Sequence, residues 1–265
     1  MELLTNGVGL SVVVFFPLIS AFIITLIPKA QEQLIKGFAL VSSLITFVLS
    51  AVLLFQFDFS SADKLQLGNK ISWIKSINAN YEIGIDGISL PLLVLSTFIT
   101  VLAIIYSIEH LPEPKSPKGF LALILVLETG MNGTFVALDL ILFFVFFEIV
   151  LLPMYFMIGI WGDKTVRTVS GFKNQIETRL YASIKFFVFT LFGSAFMLLG
   201  FLGLYYRGNK TFSIPELIEL GTSGAFTGTF ATLVFAVLFL GFAVKVPMWP
   251  LHTWLPDAHT AAPTV

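Results

Sequence analysis

The chain has no cysteine, few charged residues, three histidines and no cluster of basic residues. Without cysteine there is no disulfide, no thiolate nucleophile and no Cys-ligated zinc, haem or iron–sulfur centre. Asp, Glu, Lys and Arg make up 12% of 265 residues and the net charge is -1, so nothing offers the electrostatic footprint that nucleic acid requires. A Walker A loop, a dinucleotide fingerprint and a nucleophile elbow are also missing from the sequence. What it does contain is apolar. Hydrophobic residues reach 57%, with 29 phenylalanines, and the mean hydropathy is +0.93. A soluble domain has too little interior for that much apolar surface, so the composition points to the lipid bilayer as solvent and partner.

Seven apolar segments are each long enough to cross a hydrocarbon core of ~30 Å, for which about 20 helical residues suffice. They fall near 8–28, 34–57, 87–108, 119–138, 140–161, 181–206 and 227–250. This predicts an all-α polytopic membrane protein. No basic stretch precedes the first segment and no small-residue cleavage site follows Ile27-Pro28-Lys29, so it reads as a retained helix. Leu138-Asp139-Leu140 leaves room only for a tight hairpin between the fourth and fifth spans, with Asp139 suited to cap the fifth. Of the basic residues in the connections, Lys29, Lys36, Lys115, Lys118, Lys164, Arg167, Lys173 and Arg179 fall on one side. Lys64, Lys70, Lys75, Arg207 and Lys210 fall on the other, a bias that places the N-terminus outside the cytoplasm. The connection 58–86 is then external and long enough for a small amphipathic cap. The chain divides at this level into 1–118, three helices and that loop, and 119–265, four helices.

Two basic residues, Lys185 and Lys245, and two acids, Glu128 and Glu148, lie inside the spans. A charge at the centre of a membrane helix costs about 2.5–3.5 kcal/mol on the insertion scale, so four of them call for pairing or for function. Glu148 ends the run Phe143-Phe144-Val145-Phe146-Phe147 and is followed by Ile149-Val150-Leu151-Leu152-Pro153, leaving it no route to either surface. Pro153 opens the backbone at Ile149, a second polar defect at similar depth. Lys245 is followed by Val246-Pro247-Met248-Trp249-Pro250. Pro247 and Pro250 lack amide donors, so they break the helix and free the carbonyls of Ala243 and Val246. An amine beside a broken membrane helix predicts an ion or proton path. Lys185 can snorkel, pair with a carboxylate or relay, and Glu128 can bond a neighbour at a close Gly130 or Gly133 contact. His252 and His259 can cap helix ends or extend a proton path. With Asp257 they lack any metal-ligand spacing, and no metal is expected.

Two runs then resemble a known family. Glu148 with Leu152-Pro153-Met154-Tyr155 and Trp161-Gly162, and Lys245-Val246-Pro247-Met248-Trp249-Pro250-Leu251-His252-Thr253-Trp254-Leu255-Pro256-Asp257-Ala258-His259, resemble the M-type antiporter-like membrane subunit of bacterial respiratory complex I. Glu128-Thr129-Gly130-Met131 fits the same family. The resemblance implies that Glu148 and Lys245 form an ion pair at the head of a proton half-channel, and that the seventh helix is discontinuous. It implies a proton-translocating subunit of NADH:quinone oxidoreductase in the bacterial inner membrane. Such a subunit binds no redox cofactor, while quinone and NADH are used elsewhere in the complex. The implied partners are the L-type and N-type antiporter-like subunits and small membrane subunits. Members of the family continue into an eighth helix with another relay lysine and repeat a five-helix unit inverted. The chain is therefore expected to correspond to the N-terminal half of a 14-helix fold, stopping before helix 8. An Mrp-type cation/proton antiporter subunit or the membrane subunit of a related hydrogenase shares this helix core. A structural scaffold with static interhelical charges is the remaining reading.

Overall fold

A computed structural model describes residues 7–167 and 175–264. Lys173, counted above for orientation, lies outside them, as does the side chain of Arg167. Seven helical spans are long and apolar enough to cross a membrane. They are α1 (Val8–Leu26), α2 (Glu32–Gln56), α3 (Ser89–Glu109), α4 (Pro117–Val136), the pair α5 (Leu140–Ile149) and α6 (Leu151–Trp161), α7 (Thr178–Arg207) and α9 (Gly228–Lys245). The short helix α8 (Ile214–Thr222) lies between α7 and α9, and the short helix α10 (Trp254–Ala261) follows α9. The fifth span breaks at Val150, between α5 and α6, where Pro153 cannot donate back to Ile149.

The first four helices pack together, with α4 against α1, α2 and α3. Apolar burial does not separate helices from lipid, so small and polar residues hold these seams. Ser50 and Thr97 hydrogen-bond between α2 and α3 at 2.7 Å. Pro17 inside α1 leaves the carbonyl of Val13 without its helical donor, and Asn132 of α4 supplies one through Nδ2 at 3.4 Å. Asn132 also accepts from Ser96 of α3 at 3.3 Å.

The connection 58–86 places strands among the helices. It forms an antiparallel hairpin, β1 (Gln66–Ile74) and β2 (Ala79–Ile85), with Lys70 opposite Glu82. β-Branched and aromatic residues such as Ile71, Trp73, Tyr81 and Ile83 favour strands over helix, and Asn78 makes the turn at φ 52. The 137–139 junction threads between this hairpin and the segment before α8. Leu138 N donates to Glu82 O and Ile214 N to Leu138 O, both at 2.8 Å. Asp139 caps α5 through Ile141 N and Leu142 N at 2.9 and 3.2 Å, and also accepts from Asn80 N at 2.9 Å. The hairpin, this junction and α8 therefore share one end of the bundle. A two-residue ladder, β3 (Val166–Arg167) with β4 (Ile176–Glu177), lies between α6 and α7 toward the other end.

Candidate proton-relay site

The site is built where α7, α9 and the α5–α6 pair meet. α7 and α9 approach closely because glycines face each other across the crossing. A Cβ on Gly241 would fall 2.9 Å from Gly193 O, and one on Gly193 would fall 2.7 Å from Val244 Cβ. Ser194, next to Gly193, hydrogen-bonds through its hydroxyl to Oε1 of Glu148 on α5. Glu148 is half-buried. Sequence reading missed Ser194; the signal was the Gly193-Ser194-Ala195 run of small residues inside an apolar helix, which marks a close helix contact.

Lys245 is the last residue of α9 and is also half-buried. Its Nζ lies 4.5 Å from the ring centroid of Phe147, the residue before Glu148, as a cation over an aromatic face. Phe147 in turn packs on Phe143 and Phe242, at 5.3 and 6.3 Å between ring centroids. The side chains of Glu148 and Lys245 do not form a contact ion pair within 4.0 Å among the described residues; the aromatic ring of Phe147 lies beside the ammonium instead.

The seventh span is interrupted after Lys245 and resumes as α10 at Trp254. Of the two carbonyls expected to be freed, that of Ala243 is taken by another donor. Val246 N donates to Phe242 O at 2.8 Å, and Met248 N takes the carbonyl of Ala243 at 2.9 Å. The indole of Trp254 donates to Val244 O at 2.8 Å. These three bonds satisfy the carbonyls of Phe242, Ala243 and Val244 at the end of α9.

Lys185 of α7 pairs with Asp257 of α10 at 2.8 Å, with both side chains 20% exposed. Its ammonium also lies 5.5 Å from the Tyr181 ring centroid. The hydrogen bond anticipated for Glu128 is not formed. Its side chain is fully buried in α4 and neither carboxylate oxygen has a hydrogen-bond partner. Gly130 and Gly133 do make close contacts, but with Val150 and Phe146. His252 buries an unpartnered Nδ1. His259 is exposed and lines an open cavity of about 690 Å³ between α3, α4, α6 and α10. Among the described residues, no group of three His, Asp or Glu side chains converges as a metal site.

Two family models tile the chain. Residues 12–134 match the NADH-ubiquinone oxidoreductase chain 4 amino terminus, and residues 137–265 match the NADH:quinone oxidoreductase/Mrp antiporter membrane region. NAD(P)H-quinone oxidoreductase chain 4 of Gloeobacter violaceus is 38% identical over 96% of this chain and 44% of its own length. NADH-quinone oxidoreductase subunit M of Rickettsia bellii is 37% identical over 96% of this chain and 49% of its own. Respiratory complex I from Thermus thermophilus superimposes with a TM-score of 0.76 at 25% identity, over 96% of this chain and 47% of the matched chain. The chain thus spans about half the length of the curated relatives it matches. The two family models, which together match 12–134 and 137–265, and the named relatives agree: the chain belongs to the family of NADH-quinone oxidoreductase subunit M, or chain 4, antiporter-like membrane subunits.

Proposed function

We propose that this chain forms the N-terminal proton half-channel of a membrane-arm subunit of NADH:quinone oxidoreductase. The subunit is a translocase without a redox centre, assembled with L-type, N-type and small membrane subunits in the bacterial inner membrane, N-terminus outside. NADH and quinone react elsewhere in the complex. The observation that carries this reading is the placement of Lys245, at a break in its helix, over the ring of Phe147, the residue before Glu148.

In this reading Glu148 and Lys245 work as a pair whose separation changes. Close to the carboxylate, the ammonium keeps its proton; as the two separate in a medium of low dielectric, the charged amine loses its partner and hands the proton on. Ser194 orients the carboxylate, and Phe147 gives the ammonium an alternative resting place. Protein groups and water would carry the proton onward, and Lys185, Glu128, His252 and His259 are the ionisable groups of this chain available for that.

The test uses the full-length protein in its assembled complex. Glu148→Gln and Lys245→Ala are compared for proton pumping and for quinone reductase activity. Loss of pumping supports the relay. Pumping unchanged in both variants, with assembly intact, leaves the scaffold reading. Flanking genes for a sodium/proton operon in place of complex I subunits would support the Mrp-type alternative.

A further inference from the structure

The interrupted seventh span leaves Lys245 as the last residue of α9, with only the Val246 N to Phe242 O and Met248 N to Ala243 O bonds closing the helix beyond it. Its backbone is held from outside. The Trp254 indole binds Val244 O at 2.8 Å, one residue before Lys245. Trp254 opens α10, and its ring packs on Phe186 of α7 with centroids 5.3 Å apart. Asp257, three residues further along α10, is bound at 2.8 Å by Lys185, the neighbour of Phe186. The far end of α10 is tied separately, through Ala261 O, to Asp163 N at 2.9 Å. A continuous set of contacts therefore runs from Lys185 through Asp257 and Trp254 to Lys245. It closes on itself, because α7 carries both Lys185 and Ser194, the residue that holds Glu148. Nine residues of one helix, about 13.5 Å at 1.5 Å per residue, separate the two attachment points.

We propose that the Lys185–Asp257 ion pair is a latch that positions Lys245: it clamps α10 on α7, and α10 sets the end of α9 through Trp254. Lys185, Asp257 and Trp254 are positioning residues in this scheme. α7 acts as a rail with fixed spacing, so the Lys245-to-Glu148 separation depends on where α10 sits along it. Closing the latch holds Lys245 near Phe147 and Glu148. Opening it loosens the start of α10 and the turn 246–253, while Ala261 stays tied to Asp163, and Lys245 moves with them. The pair suits this use because each side chain is a fifth exposed. Water can then replace the partner when the bridge opens, which a fully buried pair would not allow. Asp257 also sits in the first turn of α10, where the helix dipole supports its negative charge in either state.

The consequence for pumping rests on the Glu148–Lys245 relay proposed above, whereas the positional coupling does not. The experiment therefore reads both in the full-length protein within its complex. Hydrogen exchange at Val246 and Met248, whose amides bond Phe242 O and Ala243 O, reports the end of α9. Lys185→Met and Asp257→Asn are expected to speed that exchange several-fold and to lower protons pumped per quinone reduced while reductase turnover continues. Lys185→Arg, and the exchange of charges in Lys185→Asp with Asp257→Lys, are expected to restore both. Trp254→Phe removes the indole donor and keeps a smaller aromatic ring beside Phe186. It should reproduce the exchange effect, and combined with Lys185→Met it should add little, because the two act in series. Exchange at Val246 and Met248 unchanged in Lys185→Met, in complexes that assemble, overturns the latch whatever happens to pumping. Faster exchange with pumping unaffected, while Lys245→Ala abolishes pumping, overturns its role in the relay. Faster exchange with pumping intact in Lys245→Ala as well sustains the mechanical coupling and sinks the relay reading instead.

Discussion

Gly193 of α7 and Gly241 of α9 face each other so closely that a Cβ on Gly241 would stand 2.9 Å from the Gly193 carbonyl oxygen. The same Cβ would also meet Met197 at 3.0 Å, so backbone as well as side chain must give way. Gly241→Ala is therefore expected to push α9 off α7 and cost about 1–3 kcal/mol, the usual range for overpacking. The displaced helix carries Lys245, so pumping should fall along with the melting temperature. Gly37→Ala is the control: that position has open space around it, and alanine should leave stability level or raise it. Equal melting temperatures for the two variants would show that the crossing is looser than described.

The seven spans were legible because a 20-residue apolar run has few alternatives, and because Pro247 and Pro250 announce a break by chemistry alone. Glu148 and Lys245 were legible for the same reason: charge in an apolar run stands out. The hairpin 66–85 was not, since its alternation is interrupted by bulges between Gln66 and Asn69 and between Ser72 and Ile74. Ser194 and the Lys185–Asp257 pair were hidden for a different reason. Both join residues far apart in sequence, and a lone serine or aspartate carries no mark of its partner until the helices are packed. Trp254 offers an indole donor whose partner the run around it does not name. Its role as a donor to Val244 depends on a turn whose path the prolines permit without specifying.

Ser194→Ala removes the hydroxyl donor from Glu148 without opening a large space. A hydrogen bond to a charged group contributes about 1.5–3 kcal/mol, so the carboxylate should become free to turn while the fold persists. Pumping is expected to lie between that of the unaltered protein and Glu148→Gln, and Ser194→Thr should retain most of it. Pumping in Ser194→Ala equal to that of the unaltered protein would remove Ser194 from the site.

Glu128 is fully buried with both oxygens unpartnered. An unpaired buried polar group costs about 1–3 kcal/mol. Glu128→Met keeps the length of the side chain and removes the polar atoms, so it should hold or raise the melting temperature of the assembled protein. If Glu128 also relays protons, as proposed for it, the same variant loses pumping while gaining stability. A fall in both melting temperature and pumping would instead indicate that the carboxylate has a partner within the full-length subunit.

The hairpin is fastened to α8 by a charge clasp at one end of the bundle. Lys70 lies 3.2 Å from Glu82 and 2.7 Å from Glu216. The Lys70 hydrogen bond, with that of Thr211, holds the Glu216 carboxyl below its ordinary value of 4.5. Desolvation works against the Lys70 ammonium, but Glu216 and Glu82 outweigh it and hold its pKa above the ordinary 10.5. For Glu216, a lowered folded-state value means that the clasp stabilises above pH 4.5 and fades as pH falls through the lower value. For Lys70, a raised value means that its contribution is complete below pH 10.5 and is lost only as pH rises through the higher value. Lys70 and Glu216 are 42% and 49% exposed, so solvent screening limits the effect to under about 1 kcal/mol. That is enough to loosen a hairpin without unfolding the bundle. Residues 1–265 contain no cysteine, so within them spin labels attach only where cysteine is introduced, at Ser72→Cys and Ile218→Cys, both on exposed positions. The distance distribution between them should be narrow at neutral pH and broaden on the acid side of 4.5. In a Lys70→Met background it should already be broad at neutral pH and change little with acid. A narrow distribution at neutral pH in that background would mean that the backbone bonds through Leu138 hold the hairpin in place without the clasp.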